Sequence, residues 1–218
     1  MALRITLKTA DGWTIVGDHY RGANGSPAIL LLHMMPATRA SWKAFAEKLN
    51  AEGFGVLAID LRGHGESDGG PDGYRAFTDE DHQRSIEDVR AAAAFQKTEG
   101  HSNFFVAGAS IGASLALQPL AESEEVRAAI LLSPGLAYRN IDALAAASYV
   151  REDQGVFIVA AKDDTRASGA ADEQGTKIFD ALQCRKEIKI FDRGGHGTTM
   201  FDAHPDLAGQ LMGWLKKF

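Results

Sequence analysis

Three side-chain types in this sequence stand in an order that allows nucleophilic catalysis: Ser110, an aspartate at 163 or 164, and His196. A serine hydroxyl is a poor nucleophile at neutral pH. It needs a neutral imidazole to take its proton during attack, and a carboxylate to fix the imidazole tautomer and stabilise the imidazolium that forms. Ser110 lies in Gly108-Ala109-Ser110-Ile111-Gly112. Glycines two residues away on each side leave room for a tight strand-to-helix turn. Such a turn lifts the hydroxyl clear of the backbone and aims the next amide at the same point. The competing reading of Ser110 is an ordinary helix N-cap, where serine is favoured. For His196, in Arg193-Gly194-Gly195-His196-Gly197, the competing reading is a surface-loop histidine. Whichever aspartate is not used should cap the next turn or face solvent.

The elements around these residues decide between the readings. Leu3 to Thr9 and Trp13 to Arg21 read as strands of a hairpin around Asp11-Gly12, a strong two-residue turn signal. Pro27 to His33 is apolar almost throughout, which suits a central strand covered on both faces. Further buried strands are expected over Gly55 to Asp60, Asn103 to Ala107, Val126 to Leu132 and Gly155 to Ala161, with the last over Glu187 to Phe191. Helices are expected around Trp42 to Leu49, over Asp79 to Lys97, after Ser110, over Ala171 to Leu182, and at the end around Leu207 to Phe218. A hairpin followed by alternating strands and helices predicts an α/β protein with a mostly parallel sheet of about eight strands and helices on both faces. In such sheets functional groups gather beyond the carboxyl ends of the strands. His33, Asp60, Ser110, Ser133, Asp163-Asp164 and His196 all follow strands in this reading.

Bulk properties narrow the function classes. A chain of 218 residues with 45% hydrophobic content suits one soluble domain, here residues 1–218 without a separate cap. A net charge of −6, with no basic run, argues against a nucleic-acid or anionic-membrane partner. Cys184 is the only cysteine, so no internal disulfide forms, and a reducing, cytoplasmic setting is expected. No apolar run approaches the roughly 20 residues of a membrane span. His64, Asp60 and Glu66 lie close in sequence but lack a further ligand to complete a metal site. His33 and His64, beside Gly-rich or tight turns, suit structural jobs in which ring nitrogens hold neighbouring loops.

At this point the chain resembles the α/β-hydrolase superfamily, in its small esterase-like and dienelactone-hydrolase-like branches. The resemblance rests on Leu31-Leu32-His33, on Asp60-Leu61-Arg62-Gly63-His64-Gly65-Glu66-Ser67, on Gly108 to Gly112, and on His196 in its Gly-rich loop. It implies the α/β-hydrolase fold, with Ser110 as nucleophile, His196 as general base and Asp164 as the orienting acid. It also implies an oxyanion hole from the backbone N–H groups of Met35 and Ile111, with Met34 standing where relatives carry glycine. Met34, Leu136, Tyr138 and Met200 are expected to line an apolar substrate pocket. Only Ser133 to Asp153 separates the sixth strand from the acid-bearing one, too little for a lid domain. A serine carboxylesterase for short-chain acyl esters, needing no cofactor or metal, is the function these features imply. Its partner would be a small-molecule ester. The alternatives are a lactone or thioester hydrolase with the same triad, or a non-catalytic small-molecule receptor on the same scaffold.

Overall fold

The apolar runs become the middle of a single twisted sheet. The structure is a computed structural model and describes residues 1–101, 103–166 and 169–218. The strands are β1 (Leu3–Lys8), β2 (Thr14–Tyr20), β3 (Ala28–Leu32), β4 (Gly55–Ile59), β5 (Phe104–Ala109), β6 (Val126–Leu132), β7 (Gly155–Ala161), β8 (Thr165–Arg166), β9 (Gly169–Ala170) and β10 (Arg185–Phe191). The helices are α1 (Lys43–Ala51), α2 (Asp79–Gln83), α3 (Ile86–Thr98), α4 (Ile111–Glu122), α5 (Ala143–Ala147), α6 (Ala171–Ala181), α7 (Met200–Ala203) and α8 (Leu207–Leu215). Eight strands form the main sheet in the order β1-β2-β4-β3-β5-β6-β7-β10. β2 runs antiparallel to both β1 and β4, and every other pairing is parallel. This is the α/β-hydrolase fold that the sequence predicts.

Strand alternation explains why the central runs are apolar at every position. In β3, Leu30 and Leu32 face one core while Ile29 and Leu31 face the other. β5 does the same with Phe104 and Val106 on one side and Phe105, Ala107 and Ala109 on the other. The first face is covered by α3, α4, α5 and α6 through residues such as Val89, Leu115, Ala146 and Ile178. The second is covered by α1 and α8 through Phe45, Leu49, Leu211 and Trp214. A parallel sheet buried on both faces has no room for polar alternation, so its central strands read as continuous hydrophobic runs. No helix among the described residues is long and apolar enough to cross a membrane.

Two elements differ from expectation. The single helix predicted over 79–97 is α2 followed by α3, with a break at Arg84-Ser85. The break frees α2 to lie against the turn at 138–140, where the Asp79 carboxylate accepts hydrogen bonds from Arg139 and Asn140 at 3.2 Å each. The second is the two-stranded ribbon β8–β9, unpredicted because each of its strands has only two residues. It lies immediately beyond Asp164.

Sheet order is what assembles the site. β5, β6 and β7 are neighbours, and β10 pairs with β7. Their carboxyl ends therefore present Ser110, Ser133, Asp164 and the His196 loop side by side. The chain reverses its direction of winding where β3 lies between β4 and β5, the position where open α/β sheets hold their ligands.

Candidate active site

Ser110 occupies a turn that only its neighbours' small size allows. Its backbone has φ 53° and ψ −118°, a strained conformation for any residue with a β-carbon. A β-carbon on Gly108 would stand 2.0 Å from the Gly112 carbonyl oxygen, and one on Gly112 would stand 2.3 Å from the Leu32 carbonyl oxygen. Neither backbone partner can give way, so both positions require glycine. The elbow is held by the Ser110 N–H donating to the Leu132 carbonyl at 2.9 Å. The Ser110 carbonyl in turn accepts from Ala113 at 2.9 Å and Ser114 at 3.2 Å, which starts α4. Strain of this kind persists only where the surroundings over-determine it, which is a frequent mark of functional sites.

His196 meets Asp164. Its Nδ1 lies 2.7 Å from Asp164 Oδ2 and 2.9 Å from Oδ1. The carboxylate is almost fully buried, while the imidazole keeps 14% of its side-chain surface exposed. Burial alone would push the Asp164 carboxyl up. Hydrogen bonds from His196 and Ser133, the His196 charge and the Arg166 contact outweigh it and hold the carboxyl below the usual carboxylate range. Asp163, the other candidate, points elsewhere. Its Oδ1 accepts the backbone N–H groups of Gly194 and Gly195 at 3.0 and 3.1 Å, so it clamps the histidine loop rather than capping its own next turn.

The Met35 and Ile111 amides meet no protein acceptor among the described residues. Ile111 is the first residue of α4, where an N–H has no intrahelical partner. The loop carrying Met35 is fixed by His33. Its Nδ1–H donates to the Met34 carbonyl at 2.9 Å, and its Nε2 accepts the Leu61 N–H at 3.0 Å. Complete burial and the neighbouring His64 pull the His33 pKa down to about 3, against the raising effect of the Met34 bond. The ring is therefore neutral, and its tautomer is set by these two partners. Asp60 pins the same loop further along. Its fully buried carboxylate accepts the Arg39 N–H at 2.7 Å and the Glu66 N–H at 2.9 Å, and it also pairs with the Arg39 guanidinium. The polar stretch Asp60 to Ser67 is thus a brace for the loops. No group of three or more His, Cys, Asp or Glu side chains among the described residues is placed to hold a metal ion.

Ser110 and His196 line one open cleft of about 250 Å³, together with Met35, Ser133, Pro134, Gly135, Tyr138, Arg166, Gly169, Ala171 and Gln174. A serine in an elbow and a histidine on a buried carboxylate share one cleft, as in the layout the sequence resembles. The pattern of the serine aminopeptidase S33 family matches residues 25–154 of this chain. The protein belongs to that family of α/β-hydrolases. The AB hydrolase superfamily protein YisY of Bacillus subtilis is 32% identical over 112 residues, which are 50% of this chain and 38% of YisY. The chain therefore matches well under half the length of that relative. Among solved structures, the esterase Pf2001 of Pyrococcus furiosus superposes with a TM-score of 0.83 at 18% identity, covering 100% of this chain and 93% of that one. The dienelactone hydrolase of Anabaena variabilis gives a TM-score of 0.79 at 18% identity, covering 100% and 98%. DcsB, solved with its substrate analogue, gives 0.84 at 15% identity, covering 100% and 99%. At these identities the likeness is one of fold.

In this member of the S33 family, three of the four expected pocket residues lie outside the cleft lining. Met200 is fully buried in the core under α1 and α8. The Met34 side chain fills the gap beside Gly197, where a β-carbon would stand 2.6 Å from its sulfur, and faces a separate hollow with Phe45 and Phe201. Leu136 packs on the first core and gives its N–H to Gln174 Oε1 at 2.9 Å. Hydrophobicity near a strand end does not say which way a side chain turns, and these three turn into the body. Tyr138 alone of the four lines the cleft.

Ser133 is the residue whose part the sequence reading missed. It follows β6 with φ 50°, its hydroxyl accepts the Gly197 N–H at 2.9 Å, and it is one of the groups that hold the Asp164 carboxyl low. It thus ties the acid to the residue after His196. Its place at a strand end was the available signal. Ser133→Ala removes the Gly197 bond and the interaction with Asp164, and net values of about 1 kcal/mol for each predict a loss of about thirtyfold in kcat with little change in KM for a small ester. Steady-state kinetics of the variant, with a melting curve to verify the fold, measure this; wild-type kcat would show that Ser133 positions nothing.

Proposed function

We propose that this hydrolase is a serine carboxylesterase for short-chain acyl esters. The observation that carries the proposal is the 2.7 Å contact of His196 with buried Asp164, on the same cleft as the strained Ser110. In this reading the Ser110 hydroxyl attacks the acyl carbon as His196 Nε2 takes its proton. Asp164 keeps the Nδ1 proton in place and stabilises the imidazolium. The Met35 and Ile111 N–H groups receive the developing oxyanion. One such donor is worth about 2.7–4 kcal/mol of transition-state stabilisation. The alcohol leaves with the proton from His196. Water then attacks the acyl-enzyme with the same histidine as base, releasing the acid and restoring Ser110.

Cleft size favours a small acyl group. Its volume of about 250 Å³ lies just below the roughly 300–1,000 Å³ of sites for drug-sized ligands. The family description raises peptide substrates as a second reading. An aminopeptidase must hold the protonated amino end of its substrate, which calls for an acceptor at the site. No carboxylate lines this cleft among the described residues, and the guanidinium that does line it repels a cation. Esters are therefore the better fit. The test is a profile of kcat/KM over p-nitrophenyl esters of increasing acyl length, with leucine p-nitroanilide alongside. Peak activity at about two to four acyl carbons, with a fall of at least about tenfold by eight, is the expected result. A preference for long chains, or faster turnover of the anilide, overturns the proposal.

A further inference from the structure

The cleft carries one permanently charged side chain among its described lining residues, and that charge is positive. Arg166 stands in β8 immediately beyond the acid, with 58% of its side-chain surface exposed. Its Nε donates to Asp164 Oδ1 at 3.3 Å. The same oxygen lies 2.9 Å from His196 Nδ1, so guanidinium and imidazole flank one carboxylate. Among the described residues the two Nη groups of Arg166 meet no protein acceptor. An arginine fork has five donors in one plane, and four of them remain for a ligand here.

Charge balance makes this arrangement informative. The chain as a whole carries −6, yet none of its Asp or Glu side chains lines the cleft among the described residues. Asp164 lies beneath the lining, 3% exposed and already bonded to His196 and Ser133. A guanidinium whose Nη groups meet no protein acceptor among the described residues, beside an acyl-transfer site, fits a planar anion held by two parallel N–H bonds. A neutral short ester makes no use of it.

We propose that the substrate is an ester bearing a carboxylate a few bonds from the scissile carbonyl, and that Arg166 is the specificity residue holding that carboxylate. This deepens the esterase reading above and rests on it. The carboxylate would enter on the acid side of the cleft and align the carbonyl between Ser110 and the two free amides. Because Arg166 is more than half exposed, its attraction is screened by salt.

The experiment compares mono-p-nitrophenyl glutarate with p-nitrophenyl valerate, which has the same acyl chain length without the charge. Wild type, Arg166→Lys and Arg166→Gln are each assayed at low salt and at about 1 M NaCl, where the screening length falls to about 3 Å. Wild type should prefer the glutarate at low salt, and high salt should reduce that preference. In Arg166→Gln the glutarate-to-valerate ratio of kcat/KM should fall by about ten- to hundredfold, mostly through KM, with Arg166→Lys in between. A ratio unaffected by Arg166→Gln overturns the inference. So does an equal loss on both esters, which would mark Arg166 as a support for Asp164 only. Wild type that turns over both esters without preference overturns this inference and leaves the esterase reading standing. Wild type that turns over neither ester removes both.

Discussion

Ser110→Ala is expected to lose at least about 10⁴-fold in kcat on p-nitrophenyl acetate, because the other hydroxyls lining the described cleft, those of Ser133 and Tyr138, do not stand in the elbow turn. The loss should appear as the disappearance of any nitrophenolate burst and of the mass increase expected when a fluorophosphonate probe is added to the wild type. What remains would come from the oxyanion donors and the cleft alone, which retain modest catalysis after a nucleophile is removed. Folding should survive. Alanine keeps the β-carbon, so the elbow at φ 53° is neither relieved nor worsened, and the melting temperature should stay close to wild type. Ser110→Gly gives a contrasting result. It should be equally inactive but more stable by about 1 kcal/mol, since glycine adopts positive φ without steric cost. Activity within tenfold of wild type in either variant would remove Ser110 as nucleophile. A glycine variant no more stable than the alanine one would mean that the elbow stores no strain.

The prediction for Ser110 was available from the sequence, and the reason is local. A Gly-x-Ser-x-Gly turn between an apolar strand and a helix is specified by residues that are all near one another in the chain. The strands themselves were legible for a similar reason. β3, β5, β6 and β7 are buried on both faces, so their apolar runs are unbroken, and Ile29 to Leu32 cannot be mistaken for an exposed ribbon. Sheet order then follows from topology rules more than from any single residue.

What was not legible depends on contacts between segments far apart in the chain. Ser133 bonds the backbone of Gly197, 64 residues away, and no pattern in either segment announces the pairing. Asp163 and Asp164 are adjacent and chemically identical. The residues themselves leave both open and only the family resemblance favours Asp164; the arrival of the histidine loop separates them, because one aspartate meets the ring and the other meets the two amides before it. The apolar residues failed differently. Met34 and Met200 stand near the site in sequence, but packing decides whether a methionine lines a cleft or fills a void, and both fill voids. Arg166 lies in a two-residue strand too short to give a period, so neither its ribbon nor its place in the cleft could be read in advance.

The two aspartates provide the sharper of the remaining tests. Asp164→Asn should lower kcat by about 10³–10⁴-fold, because an amide can donate to Nδ1 and stabilise the tautomer whose Nε2 is protonated and unable to take the serine proton. The variant also loses the charge that stabilises the imidazolium. Asp163→Asn should cost less than about tenfold. An asparagine side-chain oxygen can still accept the Gly194 and Gly195 N–H groups, which Asp163 now holds at 3.0 and 3.1 Å, and no imidazolium depends on its charge. Stability should separate the pair as well. The Asp164 carboxyl is held below its usual range in the folded protein, so its contribution is present above the unfolded-state pKa and is lost as pH falls through the folded value. Melting curves of wild type and Asp164→Asn should therefore differ most near neutral pH and converge in acid. Equal kinetic losses in the two variants, or a larger loss in Asp163→Asn, would overturn the assignment of Asp164. They would mean that the histidine loop moves in the working enzyme and brings its other neighbour to the ring.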